Sequence, residues 1–460
     1  MGEKALHDTP PRVVSLHDTR SGQVLPLEPR EPGRVRMYVC GPTVYGRIHV
    51  GNARPFVVFS LLKRFLVHEG YATTFVTNIT DVNDKIYLAA RSRGVGSEQL
   101  AGEMTAAYLA DTDGLGLGRP DHEPLASETI PGMIELIERL VERDNAYPAS
   151  GDVYFQVRSY PQYGELSHQD VDLMDQGEGV EGAELKRDPL DFALWKAHKP
   201  EEDTWWDSPW GRGRPGWHIE CSAMAEDLLG LEVDIHGGGS DLVFPHHENE
   251  AAQTFAARGR PLATLWVHNG MIRQSQAKMA KSEGNIFLLH EALERWGRDA
   301  LIMYFCAGHY RQPVDFDEDR MGQAERNVER IREVGRKLTD GPSPAWSAPL
   351  REAFFNALAE DFNTPRGLAA VFDWVREANR SPDPVGRSDL REMLWVLALD
   401  NLLESEELEV PAQARVLAQE RERARQARDY AEADRLRDQL REAGWEVRDS
   451  PDGPELLPAG

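Results

Sequence analysis

Cysteine is nearly absent from this chain: three in 460 residues, far apart. Thiols that sparse build no disulfide framework, and they fit a reducing compartment. Lysine is scarce too, so the 52 basic residues are overwhelmingly arginine, set against 77 acidic ones for a net charge of −25. That balance argues against a uniformly basic surface for a polyanion, although phosphate contacts need only a local basic face. Long apolar runs are also missing. No stretch approaches the length of a membrane span, and Met1 to Pro11 is polar, without the apolar segment of a secretory signal. The opening Met-Gly has Leu6 where myristoylation needs Ser or Thr. From these absences a cytoplasmic protein, away from membranes, is expected. A hydrophobic content of 41% supplies a large core, and the length is best divided among roughly two to four domains.

What is present centres on residues 38–54, Tyr-Val-Cys-Gly-Pro-Thr-Val-Tyr-Gly-Arg-Ile-His-Val-Gly-Asn-Ala-Arg. Met37, Tyr38 and Val39 read as a short strand, Gly41-Pro42 breaks it, and His49-Val50-Gly51-Asn52 leads into an apolar helix over 53–68. A strand, a glycine turn and a helix start make an anion site, because free backbone N–H groups and the helix dipole both favour phosphate. His49 and Asn52 stand where they could add side-chain donors. Cys40 closes the strand beside them.

Further along, Tyr71–Asn78 reads as a second strand, and Asn78–Lys85 ends it and starts another helix, with its Asp and Asn residues suited to capping. The alternation implies an α/β parallel sheet. Texture changes from about 120 to 205, with a helix at 128–144, a strand at 152–157 and an acidic, glycine-rich loop at 177–182. We read this as an insertion between two halves of one sheet domain. The second half holds a helix over Gly216–Gly230 and a strand, Val233–Gly239, that ends in three glycines. Beyond Asp315 the periodicity is helical at 319–338, 346–360, 364–380 and 387–404. A long charged helix at 411–443 stops at Gly444, and the chain closes on a hairpin. The boundaries expected are 1–125 and 205–262 for the halves of the sheet domain, 126–204 for the insertion, 263–318 for a smaller unit, 319–408 for helices and 411–460 for the tail.

Three constellations carry chemistry. His246 and Glu250, four apart after Pro245, share a helix face within reach of one metal ion. With Cys40 and Cys221 they would form a zinc shell, but those cysteines come from distant segments, and each residue alone also fits a bland role. Cys306 reads as a small buried hydrophobe. Lys278-Met279-Ala280-Lys281-Ser282 is a loop with two flexible ammoniums suited to following charge on a triphosphate. Gly237-Gly238-Gly239-Ser240-Asp241 lets a ligand approach the backbone, with Asp241 a candidate partner for ribose hydroxyls.

Taken together, these motifs resemble those of the cysteinyl-tRNA synthetases, a family of class I aminoacyl-tRNA synthetases. The carrying residues are Tyr38–Tyr45, His49–Asn52 in the place of the HIGH signature, Gly216–Met224, His236–Asp241, Phe244–Glu250, Lys278–Ser282 in the place of KMSKS, and Asp361-Phe362-Asn363-Thr364-Pro365. They span nearly the whole length.

The resemblance implies a Rossmann-type catalytic domain with a connective insertion, a stem-contact unit, an α-helical bundle and a small anticodon-binding domain. It implies one zinc per chain on Cys40, Cys221, His246 and Glu250, and Mg²⁺ with ATP. By the same resemblance Gly41, Thr43 and Trp217 bind cysteine. ATP is bound by His49, Gly51, Asn52, Gly238, Asp241, Ile272 and Lys281. His49, Asn52, Lys278 and Lys281 serve the chemistry, and Trp445 and Asp449 contact tRNA. The activity expected is activation of L-cysteine by ATP and transfer to the 3′ end of tRNA(Cys). A relative that passes the same adenylate to an amino sugar in thiol biosynthesis is the alternative. It would lack the tail at 411–460. An RNA-binding paralogue without catalysis would have lost His49, Lys281 or a metal ligand, and all are present. Gly46, Ala280 and Glu283 depart from the family pattern, but none removes a group assigned to chemistry.

Overall fold

The computed structural model describes residues 12–174, 183–274, 277–278, 287–404, 411–450 and 453–458. Two compact units divide the chain after Leu403.

The first unit is built on a parallel sheet of β1 (Arg34–Val39), β2 (Ala72–Thr77), β3 (Val233–Gly239) and β4 (Ala263–Asn269). Their order is β4-β3-β1-β2, every pair parallel. Helices cover the sheet, so β3 is buried along its whole length, as parallel strands covered on both faces are. Helix α1 (Val50–His68) follows β1, and α2 (Trp217–Leu229) and α3 (Glu248–Arg258) flank β3. In this order β1 and β3 are neighbours, so their carboxyl ends open side by side, the place where such sheets take ligands.

Two boundaries differ from the sequence reading. β4 lies beyond residue 262, yet it completes the parallel sheet by pairing with β3 from Ala263 to Asn269. The run Ala263–Asn269 looks like any short strand, and only the non-local pairing assigns it to this sheet. The insertion likewise passes residue 204. Its antiparallel sheet orders Ala146–Ala149, Asp152–Phe155, Phe192–Ala197 and Gly213–Pro215, and the last strand lies beyond that point.

The helices Glu318–Gly335, Ser347–Ala359, Thr364–Arg380 and Ser388–Val396 follow, close to where periodicity put them. Asn363 caps the third by accepting from the Arg366 N–H, with Pro365 in its first turn. Their apolar faces share one core with α1, through Phe354, Phe355, Val371 and Trp374.

In the second unit the single helix expected at 411–443 is two, Ala412–Gln426 and Tyr430–Glu442. Arg428 breaks it with a positive φ of 61°, and Asp429 caps the second helix by accepting from the Glu432 N–H. Doubling back lets Ala414 and Ala418 bury against Leu440, which one straight charged helix could not do. Strands Trp445–Ser450 and Gly453–Pro458 pair antiparallel as the closing hairpin.

Candidate functional site

Cys40 follows directly on β1, Cys221 lies one turn into α2, and His246 and Glu250 bracket the entry to α3. All four are buried, and one ligand atom from each lies within 4.8 Å of the others. Cys40 Sγ is 3.3 Å from Glu250 Oε1, and His246 Nε2 is 3.0 Å from the same oxygen. The register that sets Tyr38 beside His236 and Val39 beside Gly237 carries Cys40 to the mouth of β3. His246 belongs to an irregular turn, Val243–His247, in which Phe244 leaves helical geometry before α3 begins. The four-residue spacing therefore works across a kink as well as along a helix.

Two thiols, an imidazole and a carboxylate, dry and converging, fit a thiophilic cation such as zinc. Glu250 turns its two carboxylate oxygens to different histidines, Oε1 to His246 and Oε2 to His236 Nε2 at 3.2 Å. Burial raises the Cys221 thiol, but its hydrogen bond with Cys40 and the charge on His246 bring its pKa down to about 6. Cys306, by contrast, is pushed up to about 12 by burial alone, and it fits the small-hydrophobe reading.

A second donor set overlaps the first. His236 and His247, with Cys40 and Glu250, also bring ligand atoms within 4.8 Å. His247 Nε2 is 3.3 Å from Cys40 Sγ, its Nδ1 is 2.7 Å from His268 Nε2, and Thr19 Oγ1 is 2.7 Å from His268 Nδ1. These histidines were not singled out as ligands from the sequence. The doublet His246-His247 and a histidine inside a strand buried along its whole length were the available signals.

Trp217, the first residue of α2, stacks on His246 with ring centroids 4.3 Å apart. Gly41 donates its N–H to Asn78 Oδ1 at 2.9 Å, and Cys221 Sγ lies 3.5 Å from the same oxygen. Thr43 bridges to Thr80 in parallel fashion. Thus Gly41 and Cys221 meet at Asn78 and Trp217 meets His246, with Thr43 on the loop beside them.

The nucleotide motif is a helix start in its own right. α1 begins at Val50 rather than 53, and His49 is its cap. His49 Nδ1 accepts from the Asn52 N–H at 3.3 Å, while Asn52 Oδ1 accepts from the His49 N–H at 3.3 Å. This reciprocal box fixes both side chains at the positive end of the helix. A Cβ on Gly51 would fall 2.9 Å from the His49 ring and 3.7 Å from Ile272, so glycine keeps that corner open. A Cβ on Gly238 would press on His247 and Leu242 at 3.0 Å. Asp241 is exposed in the turn that follows β3.

Lys278 lies in the short strand Ala277–Lys278, paired with Ile272–Gln274. Lys281, Ala280 and Glu283 lie outside the described residues, as does the loop 177–182. In the second unit Trp445 is half-buried and packs on the Ala414, Ala418 and Leu440 core. Asp449 pairs with Pro454 in the hairpin. No helix among the described residues is long and apolar enough to cross a membrane.

Three family models match the chain. Residues 26–326 match the class I (C) tRNA synthetase catalytic domain, 353–399 the DALR domain, and 408–454 the cysteinyl-tRNA ligase anticodon binding domain. A cysteine–tRNA ligase of Pseudothermotoga lettingae is 44% identical over 455 residues, covering 96% of this chain and 98% of its own. One from Parvibaculum lavamentivorans is 45% identical over 459 residues, covering 96% and 97%. Among solved structures, Mycobacterium tuberculosis methionyl-tRNA synthetase with methionyl-adenylate superposes with a TM-score of 0.59 at 14% identity, over 80% of this chain and 90% of that one. The Agrobacterium radiobacter LeuRS–tRNA–LeuAMS complex gives 0.60 at 11%, over 82% and 84%. At those identities the likeness concerns the fold.

Proposed function

The chain belongs to the cysteine–tRNA ligases of the class I aminoacyl-tRNA synthetases, and from that premise we propose that its buried thiol cluster is the pocket that selects cysteine. The enzyme is an ATP-dependent ligase that activates L-cysteine as the adenylate and passes it to the 3′ end of tRNA. Residues 408–454, matched to an anticodon-binding domain, favour tRNA over an amino sugar as acceptor. The acceptor is tRNA(Cys), and the reaction belongs in the cytoplasm.

Cys40, Cys221, His246 and Glu250 would hold one zinc ion. The observation that carries this is the convergence of four buried donors, two of them sulfur, within 4.8 Å. Zinc on such a shell supplies a Lewis acid that favours a thiol, pKa about 8.5 when free, over the far less acidic hydroxyl of serine. Discrimination between those near-isosteres is otherwise poor in an apolar pocket. Gly41 and Thr43 line the entrance, and Trp217 closes one wall by stacking on His246.

ATP, with Mg²⁺, lies across the carboxyl ends of β1 and β3. His49 and Asn52 hold the phosphates at the start of α1, Gly51 and Gly238 leave room for them, Ile272 packs on the base and Asp241 takes the ribose. The cysteine carboxylate attacks the α-phosphate, and pyrophosphate leaves. Lys278 and Lys281 neutralise the charge that builds on the leaving group. Positioning and charge stabilisation do the work, without a covalent nucleophile. Trp445 and Asp449 would contribute to tRNA contact.

Cysteine-dependent ATP–pyrophosphate exchange, followed by charging of total tRNA with radiolabelled cysteine, tests the assignment. Exchange with cysteine and none with serine is the expected result. Equal exchange with both would remove the selective pocket.

A further inference from the structure

The motif Asp361-Phe362-Asn363-Thr364-Pro365 and the arginine just after the His49–Asn52 signature have no part in the mechanism above. The structure ties them together. Arg54 is 1% exposed inside α1, and among the described residues no carboxylate pairs with it. Its guanidinium donates instead to four backbone carbonyls. Nη1 reaches Gly270 O at 2.6 Å and Met271 O at 3.2 Å, and Nη2 reaches Gln312 O at 2.8 Å and His309 O at 3.2 Å. Burial lowers its pKa to about 10, which leaves it cationic at neutral pH.

The two segments it joins are themselves locked. Gly270 donates to Tyr310 O at 2.8 Å, and Val314 donates to Met271 O at 3.0 Å. A Cβ on Gly270 would lie 2.5 Å from the Gln312 carbonyl, so only glycine allows this approach. Asp361 grips the second segment from the other side. Its Oδ1 accepts from Tyr310 Oη at 2.8 Å, and its Oδ2 accepts from Arg311 Nε at 2.8 Å, with His309 Nε2 3.6 Å away. Oδ1 also takes the His17 N–H at 2.9 Å. Asp361 holds a positive φ of 58° in doing so.

A buried cation satisfied only by neutral carbonyls is a costly way to fill space, since an apolar side chain would do so without desolvation. What a guanidinium adds is a rigid fork that fixes several acceptors at once. Here the fork sits two residues beyond Asn52 and fixes the backbone immediately before Ile272. We propose that Arg54, braced through residues 309–312 by Asp361, is a positioning residue that sets the spacing between the phosphate end of the nucleotide site at His49–Asn52 and its base-facing side at Ile272. The inference rests on the reading of those residues as ATP contacts. It gives Asp361, in the turn before the helix Thr364–Arg380, a role: holding the nucleotide site in register.

The test is cysteine-dependent ATP–pyrophosphate exchange in the full-length, metal-loaded enzyme, with ATP and cysteine parameters measured separately. Arg54→Lys keeps the charge but cannot span both segments. Its kcat/KM for ATP should fall by about tenfold or more, while the KM for cysteine stays within about twofold. Asp361→Asn keeps the shape at the far end of the brace and should show the same ATP-selective loss, by about threefold. It decides the matter if Arg54→Lys does not fold. The double variant should lose no more than Arg54→Lys alone, because the two act as one unit. Parallel losses toward ATP and cysteine with a lowered melting temperature would mean a merely structural staple and overturn the proposal. So would unchanged ATP kinetics, and fully additive losses would remove Asp361 from it. Exchange by the unaltered enzyme tests the underlying reading separately, since its absence would show before any variant is made.

Discussion

Trp217 lies face to face with His246, ring centroids 4.3 Å apart and planes 20° from parallel. With His218 Nδ1 at 2.9 Å from His246 Nδ1, the stack leaves one orientation for the imidazole, the one that turns Nε2 toward Glu250. A bulky aromatic thus holds a metal-ligand candidate, and on the proposed reading the same ring would wall the cysteine pocket.

Trp217→Ala should therefore raise the KM for cysteine by about tenfold, from loss of a packed aromatic wall, with the KM for ATP within about twofold. Exchange kinetics at fixed ATP measure it. An equal rise for both substrates would deny Trp217 a place in the amino-acid pocket.

Replacing zinc with cobalt should give a protein whose sulfur-to-metal charge-transfer band grows on adding cysteine and not on adding serine. Cys221→Ala should lose the metal by elemental analysis and lose tight cysteine binding, while still binding ATP. If Cys221→Ala keeps its metal and His236→Ala loses it, the donor set of Cys40, His236, His247 and Glu250 is the true one.

Lys281→Ala should slow adenylate formation about a hundredfold or more while changing ATP affinity little, because the ammonium acts on charge that appears in the transition state. Single-turnover kinetics separate the two. A pure affinity loss with an unchanged chemical step would contradict the role.

His68, at the end of α1, is buried between Glu69 Oε1 at 2.9 Å and Glu392 Oε1 at 2.8 Å, with Arg351 also on Glu392. Burial lowers the His68 pKa, but the hydrogen bonds and charges of Glu392 and Glu69 outweigh it and raise the net value. Burial likewise opposes ionisation of Glu392, yet His68 and Arg351 bring it down to about 2. A raised histidine stabilises the fold fully below its unfolded pKa and loses that contribution as pH rises through the folded value. The depressed Glu392 contributes above its unfolded pKa and is lost as pH falls toward about 2. His68→Gln should cost roughly 1–3 kcal/mol at pH 6 and clearly less at pH 9, read from urea melts at both. A penalty independent of pH would show that His68 contributes only packing on Phe355.

Deleting residues 411–460 should cripple tRNA charging and leave cysteine-dependent exchange largely intact, since the tail is a compact unit of its own. Within it, Trp445→Ala tests a stacking contact with an unpaired base, worth about 1–3 kcal/mol. If the variant loses stability and charging in proportion, the half-buried ring is a core residue only.

The local signals were legible because they are local. Helical periodicity placed a helix at 364–380, and the helix Thr364–Arg380 begins there. The alternation of strands and helices gave the parallel sheet for the same kind of reason. The motifs gave the family, because their combination at these spacings belongs to one chemistry. Where local pattern was silent or misleading, the reading failed. A charged run from 411 to 443 has helical periodicity throughout, and nothing short of packing says that it folds back at Arg428. The strand Ala263–Asn269 could join any sheet until β3 claims it.

The sequence by itself determined which donors exist: two candidate thiols, a histidine and glutamate four apart, and a helix start with a capping pair. Only the tertiary structure decided that Cys40 and Glu250, 210 positions apart, stand 3.3 Å from each other. It alone brought His236 and His247 to the same point, and it alone turned Arg54 onto four carbonyls of two other segments. The reason is physical. Capping and periodicity act over one or two turns of chain, whereas the site lies where strand order joins β1 to β3, and strand order follows from burial of whole faces rather than from any residue's neighbours.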